Sequence, residues 1–246
     1  MHQTPVSTRT VTLTLAYLDH YNCKFVSGLC LPVPHLRTLA EWIGAPAPEL
    51  RSARAHQCLA AHLALLAAAG LLRHDSGYWR CAPSLYAWLK ATTAEQYAWL
   101  LRPFTAGNLW QEAVEHLGLQ ETLPIDYAAF VRQHLARQSR RPDSTERGYA
   151  AWLEITEETW QLSMPVTLPL PALFNLLQLG QWRLDKPLRC TPLSIATAGR
   201  RGFSLTRMEM IFIAATGQSL TDGQMQQLLD WYKRGHARPR CLFPRP

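Results

Sequence analysis

Residues 71–81 read LLRHDSGYWRC, and this short stretch decides the fold of the first half of the chain. Two short strand candidates, one around residues 71–73 and one at 78–81, flank an Asp-Ser-Gly turn. Short strands on either side of such a turn are typical of a β-hairpin. The stretch therefore predicts a hairpin whose tip lies at the turn.

Helical patterns surround this hairpin. Apolar residues recur at helical spacing over 36–43 and stop at Gly44, and a longer apolar face starts at about residue 48 and stops at Gly70. A glycine adopts the left-handed conformation that ends a helix, and Pro83 favours the start of another at 84–90. Helix, helix, hairpin and helix in this order describe a winged helix-turn-helix.

A polar stretch then divides the chain. Three further helices are predicted at 94–101, 109–117 and 125–136, and residues 138–148 follow with the sequence QSRRPDSTERG. This segment has no large apolar residue, and its proline prevents a continuous helix. We therefore predict an N-terminal module at 1–137, a linker at 138–148 and a C-terminal module at 149–246.

The C-terminal module combines short strands with capped helices. Strand candidates lie at 152–155 and 159–162, and a helix is predicted at 172–179. Helix starts with capping side chains are predicted at Thr191-Pro192, at Thr206 with Glu209, and at Thr221 with Gln224. The predicted fold class is mostly α with small β-hairpins, a winged helix-turn-helix followed by an α+β module.

One part of this module resembles a known family. Residues 188–202 read LRCTPLSIATAGRRG, and a helix ending before Thr216-Gly217 and a leucine-led helix with Trp231 follow. This pattern, over about residues 160–235, resembles the N-terminal helicase-associated domain of XPB-type DNA helicases. Bacterial stand-alone proteins carry similar domains, in which the domain tends to follow a winged helix. The resemblance implies an accessory or recognition module of helicase type.

The chain departs from those helicases in its nucleotide chemistry. It has no Gly-x-x-x-x-Gly-Lys-Ser/Thr phosphate loop, so the resemblance implies no nucleoside-triphosphate motor. Glu112, Glu115 and His116 cluster on one predicted helix, but charges at that spacing usually form a solvated face. We predict no catalytic residue, no cofactor and no small-molecule substrate. A site assembled from distant residues stays open, because geometry and not sequence order defines it.

Composition favours an anionic partner. The formal net charge is +7 and the sequence pI is about 9.3, while 48% of the 246 residues are hydrophobic, as in a chain that forms a core. No segment has the length of a membrane span, no secretory signal is visible, and the six cysteines have no disulfide-like rhythm. These observations predict a cytoplasmic protein without membrane contact.

The basic residues mark a predicted nucleic-acid surface. Between Glu49 and Asp75 there is no acidic residue, and a winged helix presents its second helix and its wing to DNA. The predicted nucleic-acid-binding residues are Arg51, Arg54, Gln57, Arg73, His74, Arg140 and Arg141. The alternative is that the alanine- and leucine-rich second helix is buried as a scaffold for protein docking.

Four residues near the start of the chain could form a metal site. His20, Cys23, Cys30 and His35 have the ligand types of a zinc site. The segment between the two cysteines looks like core and no Cys-x2-Cys knuckle is present, so we predict buried cysteines and no metal.

The functional expectation combines these observations. It is a non-catalytic nucleic-acid-binding or adaptor subunit of a prokaryotic DNA-processing, defence or regulatory complex, with DNA or another nucleic acid and partner proteins as ligands. A pure protein–protein interaction module is the alternative, and an enzyme whose active site follows no known motif comes third.

Overall fold

A computed structural model of the chain describes residues 6–27, 30–43, 53–120, 123, 127–139, 148–183 and 186–236. The helices are α1 (Thr8–Tyr21), α2 (Val33–Ile43), α3 (Ala53–Ala68), α4 (Leu85–Lys90), α5 (Thr93–Leu101), α6 (Leu109–His116), α7 (Tyr127–Gln138), α8 (Leu170–Leu177), α9 (Pro192–Arg200), α10 (Leu205–Thr216) and α11 (Asp222–His236). The strands are β1 (Leu72–Asp75), β2 (Tyr78–Cys81), β3 (Ala151–Ile155), β4 (Trp160–Ser163) and β5 (Leu188–Cys190). The described chain is therefore mostly helical, and across these ranges no helix is both long enough and apolar enough to cross a bilayer.

The hairpin predicted from residues 71–81 is confirmed. Strands β1 and β2 pair in antiparallel fashion, with Asp75 opposite Tyr78. Only Ser76 and Gly77 separate them, and both have positive φ, 51° and 82°. Two successive positive φ values make a type I′ turn, whose twist matches that of the strands. Helices α2 and α3 before the hairpin and α4 after it also lie where the sequence predicts them.

Helix α1 is an element that the sequence analysis did not assign. It packs against α2, α5, α8 and β2, and its residues 10–18 are buried. The Ser7 hydroxyl accepts a hydrogen bond from the Thr10 N–H and caps the helix. Inside it, the hydroxyls of Thr12 and Thr14 donate to the carbonyls four residues earlier. These bonds satisfy the threonine side chains and allow the segment to be buried as a helix.

Packing of α1 joins the two halves of the chain. Its main neighbour is α8 in the C-terminal half, and the Gln178 amide at the end of α8 donates to the Ala16 carbonyl of α1 at 3.1 Å. One cluster of buried apolar side chains extends from Val6 to Trp231. The division into modules at 138–148 stays a prediction, since most of that segment lies outside the described residues, but the halves share a core.

The second sheet, with strand order β3-β4-β5, organises the C-terminal half. The two strands predicted at 152–155 and 159–162 correspond to β3 and β4. Trp160 of β4 is fully buried, and its ring contacts those of Trp152, Phe212 and Trp231. These aromatic rings form the core between the sheet and helices α10 and α11.

Two of the three predicted helix caps are confirmed and one is wrong. Thr191 caps α9 with a reciprocal bond from Ser194, and Thr221 and Gln224 exchange the same pair of bonds at α11. Helix α10, however, begins after Ser204 and not after Thr206: the Ser204 hydroxyl accepts from the Arg207 N–H. The turn after α9 leaves Ser204 in the extended conformation that a cap requires, which places Thr206 inside the first turn.

Trp231 is the side chain of α11 that closes this core. It is 1% exposed, and its indole N–H donates to the Glu157 carbonyl at 3.2 Å. We expect Trp231→Ala to lower the free energy of unfolding by about 3–5 kcal/mol, because a large buried aromatic is removed. The control Met210→Ala, at a residue 56% exposed, should change it by less than about 0.5 kcal/mol in urea denaturation. Equal denaturation midpoints for the two variants would contradict this packing.

A buried histidine couples the core to pH. The Thr14 hydroxyl donates to the Thr10 carbonyl, so its oxygen accepts from His62 Nε2 at 3.1 Å. His62 Nδ1 is buried and has no hydrogen-bond partner among the described residues. Protonation would place a charge and an unpaired N–H there, and burial accordingly lowers the pKa of His62 from 6.5 to about 4.

This pKa predicts acid destabilisation with a defined range. The pKa of His62 is lower in the folded state than in the unfolded state. The neutral ring therefore contributes fully to the free energy of unfolding above pH 6.5, and this contribution is lost as the pH falls toward 4. At about 1.4 kcal/mol per pKa unit, the wild type should lose about 2–3 kcal/mol more than His62→Leu between about pH 7 and about pH 4.5. Urea denaturation of both proteins at each pH measures the difference. Parallel pH profiles would show that His62 is not buried in its neutral form.

Candidate functional site

The solvent face of the hairpin presents two arginines side by side. Arg73 of β1 lies directly opposite Arg80 of β2, and both are exposed. The Arg80 guanidinium lies 5.6 Å from the centre of the Tyr78 ring and donates to the Asn22 side-chain carbonyl. Like charges directly opposite each other in a sheet are destabilising. An anion between them would remove this cost.

The other face of the hairpin is fixed to the core. Trp79 is buried, and its indole N–H donates to the Cys30 carbonyl at 2.7 Å. His74 lies on this face, with its ring centre 4.4 Å from that of Phe25 and 6.3 Å from that of His116. The hairpin is thus held rigidly, and His74, although exposed, points away from the face that carries Arg73.

Arg80 also lines a cleft of about 450 Å³ between the two halves of the chain. The cleft lies among the end of α1, strand β2, helices α4 and α8, and the turn from α9 to α10. Its main side chains are Asp19, Arg80, Tyr86, Phe174, Arg201 and Arg207. Three arginines against one aspartate make it positively charged. We call Arg73, Arg80, Arg201 and Arg207 together the basic strip.

Arg201 ties three elements together at the inner wall of the cleft. Its guanidinium donates to the Asp19 carbonyl at 2.9 Å and to Gln178 Oε1 at 2.7 Å. It also lies 3.4 Å from the Asp19 carboxylate, and no other ion pair joins two side chains of the described ranges. Arg201 therefore holds the end of α9 against α1 and α8.

Burial keeps His20 of the cleft uncharged, and Arg201 adds to this effect. The His20 ring lies 3.4 Å from the Arg201 guanidinium and next to that of Tyr21. Burial, with the Arg201 charge as a second cause, lowers the pKa of His20 to about 4. At neutral pH the ring is uncharged, so it adds no positive charge of its own to the cleft.

Arg207 and Tyr86 are two exposed groups of the cleft. The Arg207 guanidinium lies 4.1 Å from the centre of the Phe203 ring, which holds it by a cation–π contact. Tyr86 is 51% exposed, and its ring meets that of Phe174 edge-on at 6.3 Å. The cleft therefore combines exposed cations with an accessible aromatic face.

The structure places the predicted nucleic-acid-binding residues in different environments. Arg73 and His74 are exposed on β1, but on opposite faces. Gln57 is half-buried near the start of α3; the backbone of Arg54 lies in that helix, while its side chain falls outside the described part of the chain. Arg51, Arg140 and Arg141 also lie outside the described residues.

The middle of α3 is covered on all sides. Residues 59–66 are eight consecutive positions, all of them buried. An α-helix turns once in 3.6 residues, so eight consecutive buried residues include every face. The middle of α3 therefore offers no face to a nucleic-acid groove. The central part of this helix is therefore part of the core of the chain.

Sequence reasoning missed Arg80, Arg201 and Arg207. The one available indication was local: Arg80 and Arg73 are equidistant from the hairpin turn, which places them opposite each other. Arg201 belongs to the stretch that resembles the helicase-associated domain, and the sequence analysis gave it no binding role. The cleft exists only because α1 packs between the two halves.

The four residues weighed as zinc ligands do not form one group. Cys23 Sγ lies 3.6 Å from His35 Nδ1, which is 2.8 Å from the Tyr17 hydroxyl. His20 instead contacts Arg201. Burial raises the pKa of Cys23 and of Cys30 to about 12, so both remain thiols. In the ranges that the structure describes, no three histidine, cysteine or acidic side chains are grouped as metal ligands would be.

Comparison with protein-family models, with curated proteins and with solved structures gives no match to this chain. The resemblance of residues 160–235 to a helicase-associated domain stays a prediction. Function is therefore argued from the basic strip and its surroundings.

Proposed function

We propose that this chain is a non-catalytic nucleic-acid-binding or adaptor subunit of a prokaryotic DNA-processing, defence or regulatory complex. The observation that carries the proposal is the basic strip, four arginines that continue from the hairpin face into the cleft. The order α2, α3, hairpin and α4 supports a winged helix-turn-helix in which the hairpin is the wing.

Phosphate chemistry fits the strip. Arginine presents planar, paired donors that match phosphate oxygens, and phosphate contacts supply most of the affinity of nucleic-acid complexes. Arg73 and Arg80 repel each other in the free protein, and a phosphate between them replaces that repulsion by attraction. The net charge of +7 favours the same partner at longer range.

The burial of α3 shifts the expected contacts toward the wing. A recognition helix reads bases with its N-terminal residues, and residues 59–66 of α3 present no face to solvent. Arg54 and Gln57 precede this buried run, near the start of α3. The proposal therefore gives the hairpin the larger share of the phosphate contacts and α3 a smaller one.

Replacing both hairpin arginines tests the proposal. Arg73→Ala with Arg80→Ala should weaken binding to duplex DNA and reduce the slope of log K against log salt by about 1.8, at about 0.9 per lost phosphate contact. Fluorescence anisotropy between about 50 mM and about 200 mM salt measures this slope. The stability of the variant should change by less than about 1 kcal/mol, because removal of the repulsion between Arg73 and Arg80 offsets the loss of the hydrogen bond from Arg80 to Asn22.

A matched control removes the same charge elsewhere. Arg132 of α7 and Lys233 of α11 are exposed and lie outside the basic strip. The double variant Arg132→Ala, Lys233→Ala should keep the wild-type salt slope. If wild type binds neither duplex nor single-stranded DNA at about 50 mM salt, the proposed function is wrong.

A second candidate, a protein–protein interaction module, is favoured by strand β3. This strand is at the edge of its sheet, and Leu153 and Ile155 are 59% and 43% exposed. Leu153 lies at an irregularity in the pairing with β4. Three exposed glutamates, Glu154, Glu157 and Glu158, lie close to these apolar residues in the sequence. An edge of this kind accepts an added strand, and its charge selects a basic, apolar segment of a partner protein.

Two synthetic peptides test this candidate. A peptide of alternating lysine and valine should bind the wild type at least about ten-fold more tightly than one of alternating lysine and glycine, because only the first adds apolar contacts to an extended strand. Leu153→Asp should abolish the preference, while the Arg73, Arg80 double variant should keep it. Equal binding of the two peptides to the wild type would exclude β3 as a strand-addition site.

A further inference from the structure

We propose that the cleft around Arg80, Arg201 and Arg207 binds the terminal phosphate of a nucleic-acid strand. The ligand is a phosphomonoester dianion at the end of a strand, as distinct from the phosphodiesters along it. This inference rests on the proposed function, since it requires a nucleic-acid ligand, but it assigns a separate role to a separate part of the basic strip.

Charge matching is the first argument. The cleft contains three arginines and the Asp19 carboxylate, while the His20 ring is neutral, which gives a net charge of +2. A phosphomonoester carries about −1.5 to −2 at pH 7, whereas each phosphodiester of a strand carries −1. The terminal phosphate is thus the group of a nucleic acid whose charge balances the cleft.

The arrangement of the hydrogen-bond donors is the second argument. A guanidinium has five N–H groups. Arg201 uses its donors on Asp19 and Gln178, but Arg80 has one described acceptor, Asn22, and Arg207 is held by a ring contact. Two guanidinium groups are therefore positioned at the cleft while most of their donors remain available, which lowers the cost of ordering them around an anion.

Size and the aromatic wall are the third argument. A volume of about 450 Å³ is that of a small-ligand pocket and cannot admit a duplex, so an internal phosphate of a helix would reach only the rim. The end of a strand can enter. Tyr86, half exposed beside the cleft, then offers a face on which the terminal base can stack.

The experiment compares strands that differ only at their ends. The probes are single-stranded DNA of about twelve nucleotides with a 5′-phosphate, a 3′-phosphate or no terminal phosphate. We expect one phosphorylated form to bind the wild type at least about ten-fold more tightly than the unphosphorylated form. The two phosphorylated arms identify which end is recognised.

Three variants separate the cleft from the hairpin face. Arg207→Ala removes one cation, and Asn22→Asp lowers the net charge to about +1 without a change of size; an aspartate tolerates the left-handed backbone of Asn22, which has φ 48°. Both should reduce the preference for the phosphorylated end to less than about three-fold. Arg73→Ala, outside the cleft, should weaken binding of all probes equally and leave the preference unchanged.

Each other outcome has a definite meaning. Equal binding of phosphorylated and unphosphorylated strands to the wild type overturns the cleft assignment and leaves the proposed function standing. Failure of every single strand to bind overturns the cleft assignment, and failure of duplex DNA to bind as well overturns the proposed function. A free 5′-mononucleotide that binds as tightly as the phosphorylated strand would identify a mononucleotide site, and stronger binding of a phosphoserine peptide would identify a protein ligand; either result overturns the inference.

Discussion

Burial of α1 between the two halves of the chain is the constraint on which the rest of the structure depends. The helix is covered over residues 10–18, and it packs on β2 and α5 in the N-terminal half and on α8 in the C-terminal half. At the end of this helix, Asp19 accepts a hydrogen bond from Arg201, and Asn22 accepts one from Arg80. Without this helix the arginines of β2, α9 and α10 would not share one cleft, so the site is a product of long-range packing.

The arginines of the basic strip differ in their roles: one stabilises the fold, and two are exposed to a ligand. Arg201 is half-buried, and its carbonyl, carboxylate and amide partners offset the cost of removing it from water. Arg73 and Arg80 lie opposite each other across the hairpin, and the Asn22 hydrogen bond and the Tyr78 ring contact of Arg80 leave the like charges side by side. The buried arginine therefore fixes the architecture, while the exposed pair is the part that an anion would stabilise.

Local features were predictable from the sequence and long-range ones were not. The hairpin follows from a turn of two residues, and the caps at Thr191 and Thr221 follow from side chains three residues apart. Helix α1 was missed because its threonines have low helix propensity and its burial on several sides removes the apolar periodicity. The cleft was missed because Asp19 and Arg201 are 182 residues apart in the chain.

Arg80 belongs both to the hairpin face and to the cleft. It faces Arg73 across the hairpin and lines the cleft beside Arg207. A strand whose terminal phosphate occupies the cleft would leave it past Arg80, and its next phosphates would meet the hairpin face. One arginine cannot neutralise two separate anions fully, so two independent ligands would compete at this residue. A single continuous strand also brings two phosphates to Arg80, but its backbone joins them, so the second contact forms without the entropic cost of a separate association. The shared position of Arg80 therefore suits one strand better than two independent ligands.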